Sequence, residues 1–174
     1  MIEGERVQLR AMTINDADDV VRWRNDPFVI DHLFDDKPPT RADHVQWFQK
    51  MIVRSDRHEF IIIERATQRS IGTIGLSDID RTNRRAEYGI LIGASDARGK
   101  GYAHEASELI LAYAFNELKL HRVFLHVFTD NLAAIKLYKQ LGFQIEGILR
   151  GHVCKRGVFR DVIAMAILDH EGQA

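Results

Sequence analysis

Two glycines and two basic residues lie together in the stretch DARGKGYAHEA, residues 96–106, directly before a predicted helix. A helix start presents unpaired backbone N–H groups and the positive end of the helix dipole, and both attract phosphate. Gly99 and Gly101 lack a Cβ, so a phosphate can approach their backbone closely. Arg98 and Lys100 can add charge-assisted hydrogen bonds at the rim. The stretch therefore predicts a phosphate cradle, with a plain solvated turn as the alternative.

The common nucleotide-binding motifs do not fit this cradle. A P-loop requires GxxxxGK[ST], but Lys100 is followed by a glycine. The dinucleotide fingerprint requires a third glycine where His104 stands, and it follows a parallel strand, whereas the strand before the cradle is predicted to be antiparallel. The phosphate is therefore expected to belong to another kind of ligand.

The elements that position the cradle follow from the hydrophobic period of the chain. Alternating or continuous apolar runs predict strands at 6–12, 58–66, 71–80, 86–93, 121–129, 143–150 and 158–168. Helical spacing predicts helices at 14–25, 40–52, 102–118 and 131–141, with a short helix or loop at 28–39. The cradle therefore connects the strand at 86–93 to the helix that follows it.

The predicted order is β–α–α–β–β–β–α–β–α–β–β, which is an α/β (α+β) fold built as a single domain over residues 1–174. We expect a central mixed, mostly antiparallel sheet of about seven strands flanked by helices. In the helix at 40–52, the spacing of Val45, Phe48 and Ile52 predicts one buried face.

The composition narrows the class of protein. A chain of 174 residues with 45% hydrophobic and 28% charged residues is typical of one globular domain. The formal net charge of −1 argues against a general nucleic-acid binder, which usually carries a basic excess. No apolar run approaches the ~20 residues of a membrane span, and the N-terminal MIEGERVQLR lacks the regions of a signal peptide. Because Cys154 is the single cysteine, we expect no disulfide, no metal site and a cytoplasmic setting.

Two motifs together resemble the GNAT family of N-acetyltransferases. RGKGYA, residues 98–103, is similar to the family's acetyl-coenzyme A (acetyl-CoA) signature Q/R-x-x-G-x-G/A. NLAAIKLYKQLGF, residues 131–143, is similar to its later motif N-x-x-A-x-x-x-Y-x-x-x-G-F. The predicted element order also matches the family fold, so the resemblance covers nearly the whole chain. It implies an enzyme that transfers the acetyl group of acetyl-CoA directly to a primary amine in a ternary complex.

The resemblance assigns the acetyl-CoA contacts to three parts of the chain. The cradle would hold the pyrophosphate, the strand at 86–93 would lie along the pantetheine arm, and Asn131 would contact that arm besides capping its helix. A bulge in this strand would splay it from the strand at 121–129 and open a cleft for the thioester. The implied contacts are Ile90, Leu91, Ile92, Arg98, Gly99, Lys100, Gly101, Tyr102, Ala103 and Asn131.

Tyr138 and Glu87 are the predicted acid and base. Tyr138 lies two helical turns after Asn131, and the resemblance places its hydroxyl near the CoA sulfur, where it can protonate the leaving thiolate. The alternative role of Tyr138 is to pack its helix against the sheet. Glu87 opens the cleft strand and can accept the amine proton through a water. The alternatives for Glu87 are a salt bridge to Arg84 or Arg85 and a solvated strand end.

Three other reactive side chains are predicted to have no catalytic role. His121 and His126 alternate with apolar residues on one strand, which is typical of structural histidines. Cys154 matches no nucleophile motif, so a covalent acetyl-cysteine route is not expected.

One pattern predicts a nucleotide-linked amino sugar as the acceptor. WRNDPFV, residues 23–29, followed by HVQWF, residues 44–48, resembles N-acetyltransferases of bacterial surface-sugar pathways. A tryptophan can stack on a base or a sugar, and basic residues can meet a diphosphate, with core packing as the alternative for both tryptophans. The predicted acceptor contacts are Trp23, Arg24, Asn25, His32, His44 and Trp47. This acceptor is the preferred one.

A second pattern predicts a polyamine. Residues 16–43 contain eight aspartates and only four lysines or arginines, and an acidic surface suits a polycation, although helix-start and solvated acids are a plainer reading. RRAEYGILI and LYKQLGFQIEGILR resemble spermidine and ribosomal-protein N-terminal acetyltransferases. A non-catalytic acyl-CoA sensor is the alternative from another class, although an intact Tyr138 argues against it. We expect no nucleic-acid or membrane partner, and a homodimer is compatible with the family.

Overall fold

Eight strands form one sheet in the computed structural model, which describes residues 1–171. The strands are β1 (Ile2–Glu3), β2 (Val7–Ala11), β3 (His58–Glu64), β4 (Arg69–Asp80), β5 (Arg85–Ile92), β6 (Arg122–Phe128), β7 (Gln144–Lys155) and β8 (Val158–Leu168). The helices are α1 (Ala17–Arg24), α2 (Pro27–Ile30), α3 (Arg41–Met51), α4 (Tyr102–Ala112) and α5 (Leu132–Gln140). A π-helical turn, Tyr113–Glu117, extends α4 to nearly the predicted length.

The strand order is β1-β2-β3-β4-β5-β6-β8-β7, and only β5 and β6 pair in parallel. The predicted mixed, mostly antiparallel sheet is therefore confirmed, with one strand more than expected. The extra strand, β1, is two residues long, which is too short to give a periodic pattern. Strand β7 also continues past residue 150, to Lys155, through a register shift between Leu149 and Val153. Such an irregularity breaks the alternation from which a strand is predicted.

Hydrophobic residues fill both faces of the sheet, as alternate residues of β3 show. Phe60 and Ile62 belong to the core under α4 and α5, whereas Ile61 and Ile63 belong to the core under α1 and α3. Because both faces are covered, the strand reads as a continuous apolar run rather than an alternating one. We call these the α4/α5 face and the α1/α3 face.

The buried face of α3 differs in part from the prediction. Phe48 is buried as expected, but Ile52 follows the helix and is 59% exposed, and Val45 is half-buried. The residues that turn inward are His44, Phe48 and Met51. These three residues, at positions i, i+4 and i+7, form one stripe along the helix. The predicted buried face was therefore displaced by one residue at its two ends.

Gly93, just after β5, is required by the close packing of α1 on the sheet. An ideal Cβ at Gly93 would lie 1.9 Å from Cγ of Trp23, whose side chain is 3% exposed. We expect Gly93→Ala to reduce the free energy of unfolding by at least the about 1–3 kcal/mol typical of overpacking. Urea denaturation followed by circular dichroism measures this loss. The matched control is Gly147→Ala, where an added Cβ meets nothing within 4 Å; equal midpoints for the two variants would contradict the packing account.

No helix within residues 1–171 has both the length and the apolar character that crossing a membrane requires.

Candidate functional site

A gap opens in the middle of the sheet because β5 and β6 pair only at their first residues. The parallel register joins Arg85 to Arg122, Ala86 to Val123 and Glu87 to Phe124, and then stops. The rest of β5 stays paired with β4, and all of β6 stays paired with β8. Alternate N–H and C=O groups of β5 beyond Glu87 therefore face the gap, where they can bond to an extended ligand.

The predicted bulge that would open this gap lies on the neighbouring strand. Asp80 pairs with Arg85 and Ser77 pairs with Glu87, so the additional residue is on β4 and not on β5. Asp78 in this segment has a φ of 49°, a left-handed conformation that a bulge uses. The shift increases the local twist beside the point where β5 and β6 separate.

The cradle lies at the end of the gap, before α4. Gly99 and Gly101 have φ values of 73° and 84°, which other residues adopt only with strain, and Gly101 is the N-cap of α4. Within residues 1–171, the backbone N–H groups from Gly99 to Ala103 donate to no protein acceptor. Arg6 steadies the loop by donating from Nη2 to the carbonyl of Lys100 at 2.9 Å. The cradle thus presents a row of N–H donors with the geometry of an anion site.

The side chain of Arg98 does not lie at the rim of the cradle as predicted. Its Nη2 donates to Asp26 Oδ2 and to the carbonyl of Gly93, each at 2.8 Å, and its Nε donates to the carbonyl of Ile92. Its guanidinium also lies over the ring of Phe28. Arg98 therefore ties the end of β5 to the start of α2, and this pairing holds the pKa of Asp26 below its usual range.

The other predicted acetyl-CoA contacts offer backbone rather than side chains. The hydroxyl of Tyr102 donates to Glu64, and the ring of Tyr102 packs under Arg6. On β5, the side chains of Ile90 and Ile92 pack on the α4/α5 face, and Leu91 packs on the α1/α3 face. Because these side chains are engaged, their main-chain groups are what a pantetheine arm would meet.

Tyr138 lies on the α4/α5 face beside the gap. Its side chain is 8% exposed, and its ring packs edge-on against Tyr88 with centroids 5.9 Å apart. Burial raises the pKa of Tyr138 to about 12, so the phenol keeps its proton at neutral pH. Asn131, seven residues earlier, caps α5 by accepting from Ala134 N at 3.2 Å, as predicted.

Glu87 lies on the opposite face of the sheet from Tyr138, because Ala86 and Tyr88 point into the α4/α5 core. Its carboxylate contacts neither Arg84 nor Arg85, the predicted ion-pair partners. Instead, Oε1 of Glu87 lies 2.8 Å from Nδ1 of His126 on β6. The sequence pattern gave His126 no role, and the structure places it in the gap with the predicted base.

A second carboxylate, Glu59 on β3, faces the same side of the gap. Glu59, Gly75 and Gly89 are neighbours across β3, β4 and β5, so they share the face that carries Glu87. Oε2 of Glu59 lies directly over Gly75, 2.5 Å from the position of an ideal Cβ, while an added Cβ on Gly89 would meet nothing within 4 Å. Gly75 therefore gives room for the carboxylate of Glu59, whereas the surface over Gly89, between that carboxylate and Glu87, is open.

The carboxylate of Glu59 is largely buried and has Arg57 as its cationic partner. Burial raises the pKa of Glu59, opposed by Arg57, whose Nη1 donates to Oε1 at 2.9 Å. Oε2 lies over Gly75. Sequence reasoning missed Glu59 because it looks like the polar end of a strand; its one signal is the glycine opposite it on β4, with a second glycine beyond that on β5.

Two of the predicted acceptor contacts are core residues. Trp23 packs against Gly93 and belongs to the core under α1 and α3, so the predicted stacking role was wrong and its packing alternative is confirmed. His44 is 6% exposed, and its Nε2 has no hydrogen-bond partner within residues 1–171. Burial, aided by Arg24, lowers the pKa of His44, which keeps the ring neutral and unsuited to a diphosphate.

The remaining predicted acceptor contacts lie nearer the surface but are engaged with the protein. Arg24 pairs with Asp35, and Asn25 donates to the carbonyl of Pro39. His32 Nδ1 lies 2.7 Å from the carbonyl of Phe28, and Trp47 is half-buried beside His44 and Arg57. The structure does not gather these side chains into one diphosphate site.

The eight aspartates of residues 16–43 all have local partners. The pairs are Asp16–Arg10, Asp18–Arg41, Asp19–Arg22, Asp26–Arg98, Asp31–Arg156, Asp35–Arg24 and Asp36–Lys155, and Asp43 caps α3 through Thr40. Lys155 also donates to the carbonyls of Ile30, Leu33 and Asp35. Half of these partners, Arg10, Arg98, Lys155 and Arg156, come from other parts of the chain, and with them the segment is paired rather than an open acidic pocket.

Comparison with known proteins adds three findings. The family model described as an acetyltransferase (GNAT) domain matches residues 6–144. An uncharacterized N-acetyltransferase of Bacillus licheniformis is 35% identical, covering 96% of this chain and 95% of its own length. The spermidine N(1)-acetyltransferase of Escherichia coli strain K12 is 29% identical, with 98% of this chain and 90% of that protein covered.

A solved structure shares the whole architecture. The crystal structure of spermidine N-acetyltransferase from Vibrio cholerae in complex with CoA and spermine matches with a TM-score of 0.92 and 28% identity. The match covers 98% of this chain and 100% of that one.

Proposed function

Since this chain belongs to the acetyltransferase (GNAT) family and is an acetyl-CoA-dependent N-acetyltransferase, we propose that its acceptor is a primary amine of a polyamine. The observation that carries the proposal is the open surface over Gly89, which lies between the carboxylate of Glu59, seated over Gly75, and the carboxylate of Glu87. An elongated cation with more than one ammonium group can lie along this face, with one carboxylate for each of two ammonium groups. We infer that residues 1–174 act as one catalytic domain.

The relatives support the same acceptor. The E. coli relative is a spermidine N(1)-acetyltransferase, and the V. cholerae structure contains spermine with CoA. Two of the six residues predicted to contact an amino sugar, Trp23 and His44, are buried in this chain. We therefore prefer a polyamine to an amino sugar as the acceptor. The support for a polyamine comes from Glu59 and Glu87 rather than from the paired aspartates of residues 16–43.

The proposed reaction uses the two faces of the gap for its two proton transfers. The pyrophosphate of acetyl-CoA binds the N–H groups of the cradle, and the pantetheine arm pairs with β5. The acceptor arrives as an ammonium ion and loses a proton on the face of Glu87, which frees the nitrogen lone pair to attack the thioester carbon. Main-chain N–H groups of β5 stabilise the charge that develops on the carbonyl oxygen. The carbon–sulfur bond then breaks, Tyr138 donates its proton to the leaving thiolate, and the second nitrogen proton, lost as the amide forms, restores the phenol through solvent.

An acceptor panel tests this proposal. CoA release is measured with acetyl-CoA and spermidine, a UDP-linked amino sugar or a peptide with a free N-terminus. We expect kcat/KM for spermidine to exceed that for the other two by about 10- to 100-fold, since only the polycation has a second ammonium group for the second carboxylate; one lost charge-assisted bond costs about 1.5–3 kcal/mol. A preference for the amino sugar or the peptide would refute the proposed acceptor while leaving the enzyme class intact.

A further inference from the structure

His126 and Glu87 form a pair at the point where β5 and β6 separate. Glu87 is the last residue of β5 in register with β6, where it lies opposite Phe124. His126 is the next residue of β6 on the same face, and its Nδ1 lies 2.8 Å from Oε1 of Glu87. The pair therefore bridges the two strands at the closed end of the gap, on the face proposed to receive the amine.

The direction of this hydrogen bond determines which atom can take up a proton. An ionised carboxylate only accepts, so Nδ1 of His126 is the donor and carries a hydrogen. The lone pair of the neutral ring is then on Nε2. A carboxylate that holds an imidazole in this tautomer is the arrangement by which histidine serves as a general base in other enzymes.

The surroundings of the ring permit the exchange of protons. The side chains of His126 and Glu87 are 26% and 33% exposed, so water reaches both. His152 on β7 stacks on the His126 ring with centroids 6.0 Å apart, and Phe124 contacts it edge-on from the same strand. From β8 the register partner is Ala164, which has no charge. Glu87 and His152 are thus the titratable groups that the described structure places against the ring.

We propose that Nε2 of His126, rather than the carboxylate of Glu87, accepts the proton of the acceptor amine, and that Glu87 is the positioning residue that fixes the ring. This assignment rests on the proposed function for the amine itself. The proton passes from the ammonium group to Nε2, directly or through one water, and the nitrogen lone pair forms the bond to the acetyl carbon. The carbon–sulfur electron pair leaves on sulfur, which takes the proton of Tyr138. The nitrogen loses its second proton as the amide forms, and that proton restores the phenol of Tyr138 through solvent. The imidazolium then returns its proton to solvent.

The pH dependence of kcat/KM separates the two possible bases. We expect His126→Gln to lower kcat/KM by about 100-fold at neutral pH. It should also abolish the acidic limb of the pH profile, which is the fall of kcat/KM toward low pH as the base becomes protonated. Glu87→Gln should lower kcat/KM by a smaller factor and keep the limb, because the ring that takes up the proton is still present. The control is His121→Gln, since His121 also pairs with a carboxylate, Asp169, but lies outside the gap; its profile should match the wild type.

Two outcomes would overturn the assignment. If Glu87→Gln loses the acidic limb while His126→Gln keeps it, the carboxylate is the base. If both variants keep an unshifted limb, neither residue is the base. Circular dichroism verifies folding of each variant, and His126→Asn replaces the glutamine variant if that one does not fold.

A second readout requires no acceptor and so distinguishes a wrong base from a wrong substrate. The profiles use whichever amine of the panel the wild type acetylates fastest, so a failure on spermidine alone refutes the acceptor proposal and not the pair. In parallel, ¹⁵N spectra of histidine-labelled protein should show His126 protonated on Nδ1 in the neutral ring, and a mixture of tautomers in Glu87→Gln. Protonation on Nε2 in the wild type would exclude that atom as the acceptor and overturn the assignment.

Discussion

Replacing Tyr138 with phenylalanine is expected to lower kcat by about 100-fold or more without weakening the binding of acetyl-CoA. The phenol is buried on the α4/α5 face, and its burial raises the pKa of Tyr138 to about 12. It therefore holds a proton throughout the neutral range and can deliver it to the thiolate. Phenylalanine keeps the ring packing against Tyr88 and Phe143 but removes the proton.

Stopped assays of CoA thiol release measure this loss with a saturating amine. The control is Tyr113→Phe, which removes a hydroxyl that bonds to Nδ1 of His58, outside the gap. Its kcat should stay within about threefold of the wild type, since this hydroxyl takes no part in the proposed proton transfers. Equal kcat values for Tyr138→Phe and the wild type would remove the acid assignment. Because the pKa of Tyr138 is about 12, no basic limb from this group is expected below that pH.

Replacing Gly101 with alanine is expected to raise the dissociation constant of CoA by at least about tenfold, or about 1.4 kcal/mol. Gly101 has a φ of 84°, and an added Cβ would sit in the cradle, 3.5 Å from Nη1 of Arg6. That contact is an ordinary van der Waals distance, so the protein accommodates the methyl group. A bound phosphate would be displaced, because the methyl group keeps it away from the N–H groups at the start of α4.

Isothermal titration with CoA measures the change in affinity, and urea denaturation measures the accompanying backbone strain. The matched control is Gly157→Ala, in the β7–β8 turn, where φ is 78° and an added Cβ meets nothing within 4 Å. Both variants should lose about 1–2 kcal/mol of stability from the left-handed backbone. Only Gly101→Ala should lose affinity for CoA; an equal affinity in the two variants would show that the pyrophosphate binds elsewhere.

The donor half of the site could be predicted from sequence because its chemistry is local. The glycines of the cradle, the start of α4, Asn131 and Tyr138 each lie within a few residues of the group they act with. Their proposed roles come from the resemblance to two motifs, each contiguous in the sequence, and the spacing along one helix or one turn is compatible with them. The resemblance of both segments to the GNAT motifs is confirmed by the family match over residues 6–144.

The acceptor half could not be predicted because it depends on strand register. Glu59 and Glu87 are brought to one face by the alignment of β3, β4 and β5, and His126 meets Glu87 only because β5 and β6 begin in parallel. A pattern of residue types cannot fix that alignment. For the same reason Trp23 was predicted to meet substrate, although the glycine at position 93, seventy residues away, marks the place where it packs.

For Arg98, the sequence signature does not predict where the side chain lies. Its place in the acetyl-CoA signature predicts a phosphate contact, but Asp26 and two main-chain carbonyls satisfy its guanidinium. The signature identifies the position and not the direction of the side chain. Arg98 thereby connects the end of the donor strand to the helix that begins the acceptor side.

The central claim is that one gap between β5 and β6 brings acetyl-CoA and a polyamine together from opposite faces of the sheet. A crystal structure with CoA and spermidine tests this most directly. We expect the pyrophosphate on the N–H groups of Gly99 to Ala103, the sulfur within hydrogen-bond distance of the Tyr138 hydroxyl, and an ammonium group over Gly89, between Glu59 and Glu87. Spermidine bound away from Gly89, with no amine on the Glu87 face, would contradict this arrangement.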